Sequence, residues 1–524
     1  MIRVKQIKVD VKKDCIEEIY NSLVKKLKIN VNDIISFNIV KKSIDARHKD
    51  SVFFVYEVDV DLKNNDKIKL GNDISIVNSD GYHCSITGVL ELKHRPIVVG
   101  SGPCGLFCAY FLAMNGFKPI VLERGQDMDS RIRTVNNFWN TGVFNSSSNV
   151  QFGEGGAGTF SDGKLSTQIK DRNNRISEVL NIFVSNGAPS EILYDFMPHI
   201  GTDKLRDVVK NMRNMIISMG GEFRYNSCLS DINVVDSKIR SIVVNNNEVI
   251  DCDLLVLAIG HSARDTFRML NSRGVAMENK PFAVGVRVMH SQEMISKNQY
   301  GDYYKFLRPA SYKLTYNSSN GRGVYSFCMC PGGYVVNASS EFGRLVVNGM
   351  SNYERESGIA NSAIVVTVGE KDYGDGLFDG VRFQEKLESL AYKIGNGNIP
   401  VQCYADYVKG VRSSNFYDIK PMIKGKFEFS DLNKLFNDDI NKSIKEAMAF
   451  FGGKIKGFDS GGTIMAGVES RTSSPIKILR DDFFESNILG IYPAGEGAGY
   501  AGGIVSAAVD GIKVFEIIAS KYRV

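Results

Sequence analysis

A chain of 524 residues, 43% hydrophobic and 23% charged, is globular and too long for one ordinary core, so two or three domains are expected. Its formal charge of +5, from 64 basic and 59 acidic residues, is too mild to argue for nucleic acid. Nine scattered cysteines with no CxxC pair exclude a disulfide framework and fit reduced thiols in a cytoplasm. The opening MIRVKQIKVDVKKD has no apolar core, so no secretory signal is expected. No segment approaches the ~20 continuous apolar residues of a membrane span.

Residues 1–92 read as a separate α+β module of the ferredoxin-like sort, with strands at 3–9, 34–41 and 51–61 and a helix at 14–28. KKSIDARHKD (41–50) carries Lys41, Lys42, Arg47 and Lys49. Such a hairpin tip could touch RNA, but Asp45 and Asp50 dilute it, and a solvated turn is the favoured reading. NNDK, NVVD and VNNNEVID read as surface turns.

Residues 96–125, PIVVGSGPCGLFCAYFLAMNGFKPIVLERG, contain strand, glycine turn, helix and second strand in order. Gly100 makes the tight turn, Gly102 lets backbone approach a pyrophosphate, and Gly105 lets helix and strand pack closely. Ser101, Pro103 and Cys104 complete the loop, and the helix start offers free N–H groups to phosphate. Glu123, at the end of the second strand, stands where a carboxylate accepts ribose hydroxyls, and the following Arg124 leans the motif towards FAD.

In SNVQFGEGGAGTFSDGKLS (148–166), Gly153, Gly155, Gly156 and Gly158 build a loop that backbone or ligand can approach closely. Thr159, Ser161, Asp162, Gly163 and Lys164 place polar groups and one cation beside it, suited to the cofactor or to a substrate over its ring. LLVLAIG ends at Gly260, on the carboxyl edge of the cofactor sheet. His261 follows as a candidate proton donor or a hydrogen-bonded structural residue. Lys164 is the second catalytic candidate.

Arg287 and His290 occur in FAVGVRVMH and Arg471 in VESRTSSP. The two arginines are candidates for an acidic substrate or for structural acids. Cys328 and Cys330, two apart in an apolar strand, would share a face. Packed inert thiols are favoured over a redox or substrate role. The six histidines share no ligand spacing with the cysteines, so no metal is expected.

NILGIYPAGEGAGYAGGIVSAAVDGIKVFEII (487–518) is strand, glycine loop and helix, but too little chain follows for a second nucleotide unit. It resembles the C-terminal flavin motif of glutathione reductase-type enzymes, with Ala494, Gly495 and Glu496 where Ala-x-Gly-Asp is usual. The helix after Gly502, Gly503 and Ile504 would aim its positive end at the flavin.

With NGMSNYERESGIANSAIVVTV (348–368) and YSFCMCPGGYVV (325–336), these strings resemble the uncharacterised bacterial FAD-dependent dehydrogenase family over nearly the whole chain. Cys104 stands where that family usually has Ala. The resemblance implies an α/β fold: a Rossmann-type FAD-binding domain (93–280 and 455–524), an inserted mixed α+β substrate domain (281–454) and the N-terminal module. It also implies hydride transfer between flavin N5 and a small-molecule substrate. NAD(P)H is retained as a transient donor and a homo-oligomer is left open. The alternatives are an RNA-associated flavoprotein and a non-catalytic FAD-binding protein.

Overall fold

The computed structural model describes residues 1–64, 68–77 and 81–524. At the N-terminus four antiparallel strands lie in the order Ile34–Asp45, Phe53–Leu62, Ile2–Asp10, Ile74–Ile76. Helix Ile16–Leu27 turns Ile19, Leu23 and Leu27, one helical turn apart, onto that sheet. A bulge at Gln6 moves the buried set of the first strand from Ile2 and Val4 to Ile7 and Val9, so alternation resumes one residue later. This strand order is that of a ferredoxin-like split β-α-β unit, without a second helix among the described residues before the last strand.

The first half of KKSIDARHKD is strand, to Asp45, and residues 46–50 form the turn of the hairpin. Three of its four cations meet carboxylates: Lys41 with Glu57, Lys42 with Asp14 and Arg47 with Asp45. Lys42 also bridges by backbone to Tyr194 and Phe196, which docks the module on the rest of the chain.

Five short parallel strands form the cofactor sheet, in the order Ile491–Pro493, Leu255–Leu257, Ile97–Val99, Ile120–Leu122, Glu222–Arg224. The central ones are three-residue apolar runs because both faces are covered: Val98, Val121 and Val256 pack on helices, and Ile97, Val99, Ile120, Leu122, Leu255 and Leu257 on the 229–251 meander and helix Arg264–Ser272. Helices Pro103–Met114 and Ile504–Lys521 pack face to face; a Cβ on Gly511 would lie 2.2 Å from the Cys104 carbonyl, so only glycine allows this approach. The chain's last strand, Tyr522–Arg523, pairs with Leu90–Glu91.

NVVD and VNNNEVID fall largely in an antiparallel three-stranded meander (229–251); only Asp236–Ser237 and Asn245–Asn247 turn, with positive φ at Asp236, Ser237, Asn245 and Asn246. Residues 65–67 of NNDK lie outside the described residues.

A seven-stranded sheet forms the second body, in the order 315–317, 323–330, 359–368, 282–291, 464–469, 399–403, 427–429. Its centre is a ten-residue antiparallel ladder from Phe282↔Val368 to Ser291↔Ile359. Helices Asp379–Ile394 and Asp438–Gly452 bury it. Strand Ile464–Glu469 lies beyond residue 454, so the sheet takes a strand from the segment assigned by sequence to the cofactor domain. Long-range pairing with 282–291, invisible in local pattern, recruits it. No helix among the described residues is long and apolar enough to cross a membrane.

Candidate functional site

One cavity of about 470 Å³ runs from the glycine turn of the cofactor sheet to the edge of the seven-stranded sheet. Its first end is backbone. Gly100 has φ +99°, and a Cβ there would meet the Ala258 carbonyl at 2.3 Å. A Cβ on Gly105 would lie 1.9 Å from the Gly100 carbonyl oxygen. Gly102 and Pro103 open the helix, leaving its first N–H groups free at the cavity wall. Gly100, Gly102, Pro103, Cys104, Glu123 and Arg124 line this end; Ser101 and Gly105 stand behind it. This cradle, which a Cβ would fill, suits the diphosphate of FAD.

Glu123 is buried, and its carboxylate accepts four protein donors: Ser101 N–H (3.1 Å) and hydroxyl (2.7 Å), Gly125 N–H (2.9 Å) and Gly153 N–H (3.0 Å). It therefore ties the two glycine loops together. Arg124 pairs with Asp265, lies 3.0 Å from Cys228 Sγ and stacks over Phe152 at 4.3 Å.

The second glycine loop is held by Arg131, a fully buried residue that sequence reading missed. Its guanidinium donates to the carbonyls of Asn149, Val150, Gly153, Glu154 and Gly156 and to the Thr159 hydroxyl. Burial pushes it down to about 9. Thr159 is thus a loop fastener, not a lining residue. Gly158, Ser161 and Lys164 line the cavity, whereas Asp162 and Gly163 lie behind.

Gly260, His261, Gly495, Glu496, Gly502, Gly503 and Ile504 meet along one wall. His261 Nδ1 donates to Glu496 Oε1 at 3.0 Å, so the Glu found in place of Asp has a partner 235 residues away. His261 Nε2 is buried with no hydrogen-bond partner.

The far end combines Phe327, Cys328 and Glu469 of the seven-stranded sheet with Asn348 of a three-stranded sheet and Lys164 and Ser166. Arg287 is fully buried and does not line the cavity; it is a structural residue. It pairs with Glu469 (2.9 Å) and donates to Asn361 Oδ1 (2.8 Å), Asn348 Oδ1 (3.0 Å) and the Cys328 carbonyl (3.1 Å). It fixes three lining residues at once: Glu469, Asn348 and Cys328.

Cys328 and Cys330 do not share a face. Between Phe327↔Ala363 and Cys330↔Asn361 the strand carries one extra residue, and this bulge turns Cys328, at φ +42°, into the cavity while Cys330 stays buried. The Cys330 thiol donates to the Cys328 carbonyl at 3.3 Å, and burial pushes it up to about 12. All nine cysteines are free.

Arg471 lines the cavity but is committed to Glu388 (2.9 and 2.8 Å), Ser262 (2.9 Å) and Ser340 (2.5 Å). Glu388 also takes a bidentate contact from Arg264 (2.8 and 3.0 Å). Burial alone would raise the Glu388 carboxyl, but the two guanidinium groups hold it well below the usual range. This buried triad clamps the helix carrying Glu388 to the cofactor body. His290 is likewise structural: its Nε2 donates to the Phe458 carbonyl at 2.8 Å, and burial pulls it down to about 4. No cluster of metal-binding type occurs among the described residues.

Sheet order, glycine cradle and cavity define a Rossmann-type dinucleotide-binding fold. Residues 281–472 match the model of the FAD-dependent protein C-terminal domain, residues 98–154 an NAD(P)-binding Rossmann-like domain, and residues 1–61 a domain of unknown function. An uncharacterized protein of Clostridium beijerinckii is 47% identical over 532 residues, covering 99% of each chain. The chain belongs to this family of FAD-dependent proteins.

Among solved structures it is similar to a geranylgeranyl bacteriochlorophyll reductase-like protein of Thermoplasma acidophilum (13% identity, 81% of this chain and 77% of that one, TM-score 0.35). It is also similar to the FAD-complexed glycerol-3-phosphate dehydrogenase of Bacillus halodurans (10% identity, 82% and 65%, TM-score 0.35).

Proposed function

We propose that this oxidoreductase exchanges a hydride between the flavin N5 and a small molecule in the far end of the cavity. The observation that carries the reading is the continuity of one cavity, from a phosphate cradle of glycine backbone to a wall of polar side chains. When bound, FAD supplies two-electron hydride chemistry.

The diphosphate would rest on Gly100–Gly105 and the start of helix Pro103–Met114. The start of helix Ile504–Lys521, at Gly503, lines the same cavity and would stabilise negative charge there. Anchored through Nδ1 to Glu496, His261 keeps Nε2 available to take or return a proton. Strand Ile464–Glu469 supports drawing the substrate domain as 281–472 in place of 281–454, with 1–92 as a separate module.

The test is the visible spectrum of the purified protein under anaerobic conditions, as NADH, NADPH and then dithionite are added. Rapid bleaching by one nicotinamide makes it the electron donor. Bleaching by dithionite alone assigns the electrons to a substrate or a protein donor. A colourless protein that FAD cannot reconstitute rejects the reading.

A further inference from the structure

We propose that the small molecule is an organic carboxylate, held by Lys164; this rests on the flavin reading of the same cavity. Almost every charged group on the cavity wall already has a counter-charge or protein donors. Glu123 accepts four N–H or O–H groups, Arg124 pairs with Asp265, Arg471 with Glu388 and Glu469 with Arg287, while Glu496 accepts the His261 Nδ1–H.

Lys164 is the exception. Its ammonium has no hydrogen-bond acceptor among the described residues, and the nearest carboxylate oxygen is Asp162 Oδ2 at 3.8 Å. That same oxygen lies 3.4 Å from Arg355 Nη2. The other Asp162 oxygen takes the Ser351 hydroxyl and sits 3.8 Å from His199 Nε2.

Two permanent cations therefore share one carboxylate. His199, only 2% exposed and with neither ring nitrogen hydrogen-bonded, adds no charge: burial pulls it down to about 4, so it is neutral. Lys164 is the member of this cluster on the cavity wall, and the one whose ammonium lacks a hydrogen-bonded acceptor. A charge in a partly enclosed site is favoured when paired and hydrogen-bonded.

The neighbouring wall supplies donors rather than acceptors. Asn348 Oδ1 is occupied by Arg287 and by the Gly349 N–H, which leaves the Asn348 amide N–H groups as its free end. Ser166 also lines the cavity. Glu469, the acid of this end, is held by Arg287. One ammonium with amide and hydroxyl donors matches a monoanionic carboxylate; a phosphate dianion would keep one charge unbalanced, since both arginines nearby are committed.

The experiment uses the FAD-loaded full chain. Its flavin spectrum is titrated with acetate, succinate and benzoate, each beside its neutral amide. The expected result is a saturable spectral shift with at least one acid and at least tenfold weaker binding of the matching amide. K164Q should weaken that acid at least tenfold while retaining the wild-type ratio of FAD to protein.

The proposal is overturned if no acid perturbs the spectrum, if acid and amide bind alike, or if K164Q binds the acid as tightly as the wild type. It is also overturned if K164Q loses FAD, since Lys164 would then serve the cofactor. A wild-type protein that holds no FAD rejects the flavin reading instead, so the two failures are distinguishable.

Discussion

At the Gly100–Gly105 end of the cavity the wall is backbone; at the Lys164–Cys328 end it is side chains. The backbone end needs nothing but the absence of Cβ atoms and a helix start. The side-chain end is assembled from strands that meet only in the folded protein. It is held by buried ion pairs such as Arg287–Glu469, in which each partner would be an expensive orphan alone. The first end therefore fails by steric exclusion and the second by loss of charge compensation.

The largest effect is expected at the backbone end. Gly105→Val places side-chain carbon where the Gly100 carbonyl oxygen stands, and soluble yield and bound flavin should fall at least tenfold, read from the visible-to-ultraviolet absorbance ratio. A variant that keeps its flavin would break the contrast.

Next comes the floor of the side-chain end. Arg287→Met leaves Glu469 buried without its cation and should destabilise by about 3–5 kcal/mol. Pairing it with Glu469→Gln should recover at least half of the loss, because the double variant strands no charge. Guanidinium unfolding midpoints check both, and a double variant no better than the single one would contradict the charge account.

His290 gives the same sheet a pH dependence. The unfolded ring takes up a proton near pH ~6.5, the folded ring only near 4, so the unfolded state binds more protons in between. Stability should fall as pH drops through that window, by at most ~1.4 kcal/mol per pH unit from this group. His290→Gln should flatten the slope of melting temperature against pH between those values.

The smallest effect belongs to the first end again. Ser101→Ala removes one of four donors to Glu123, for a loss of ~1 kcal/mol, and opens one carboxylate position to a ribose. Flavin content should stay at the wild-type level; its loss would mean that the hydroxyl holds the loop rather than occupying a ligand's place.

The elements that the chain itself determined are the ones whose cause is local. Gly100, Gly102 and Gly105 lie within six residues of one another, so the turn, the helix start and the close packing follow from spacing alone. The helix of residues 16–27 and the apolar strands at 97–99 and 255–257 are legible for the same reason: periodicity and short buried runs act within one segment.

The rest had to wait for tertiary contacts. The five carbonyls that Arg131 caps belong to a loop 18 to 25 residues away, and nothing in the surrounding MDSRIRTV marks it out. Arg287 and Arg471 could face a substrate or structural acids; burial beside Glu469 and Glu388 decided for the acids. Cys328 and Cys330 share a face in an ideal strand, and one bulged residue in the pairing with 359–368 separated them. Strand 464–469 joined a sheet begun almost 200 residues earlier. Local spacing encodes backbone shape, whereas the pairing of charges and the facing of side chains depend on which distant segment arrives. That is why the glycine turn was legible in one dimension and the surroundings of Lys164 only in three.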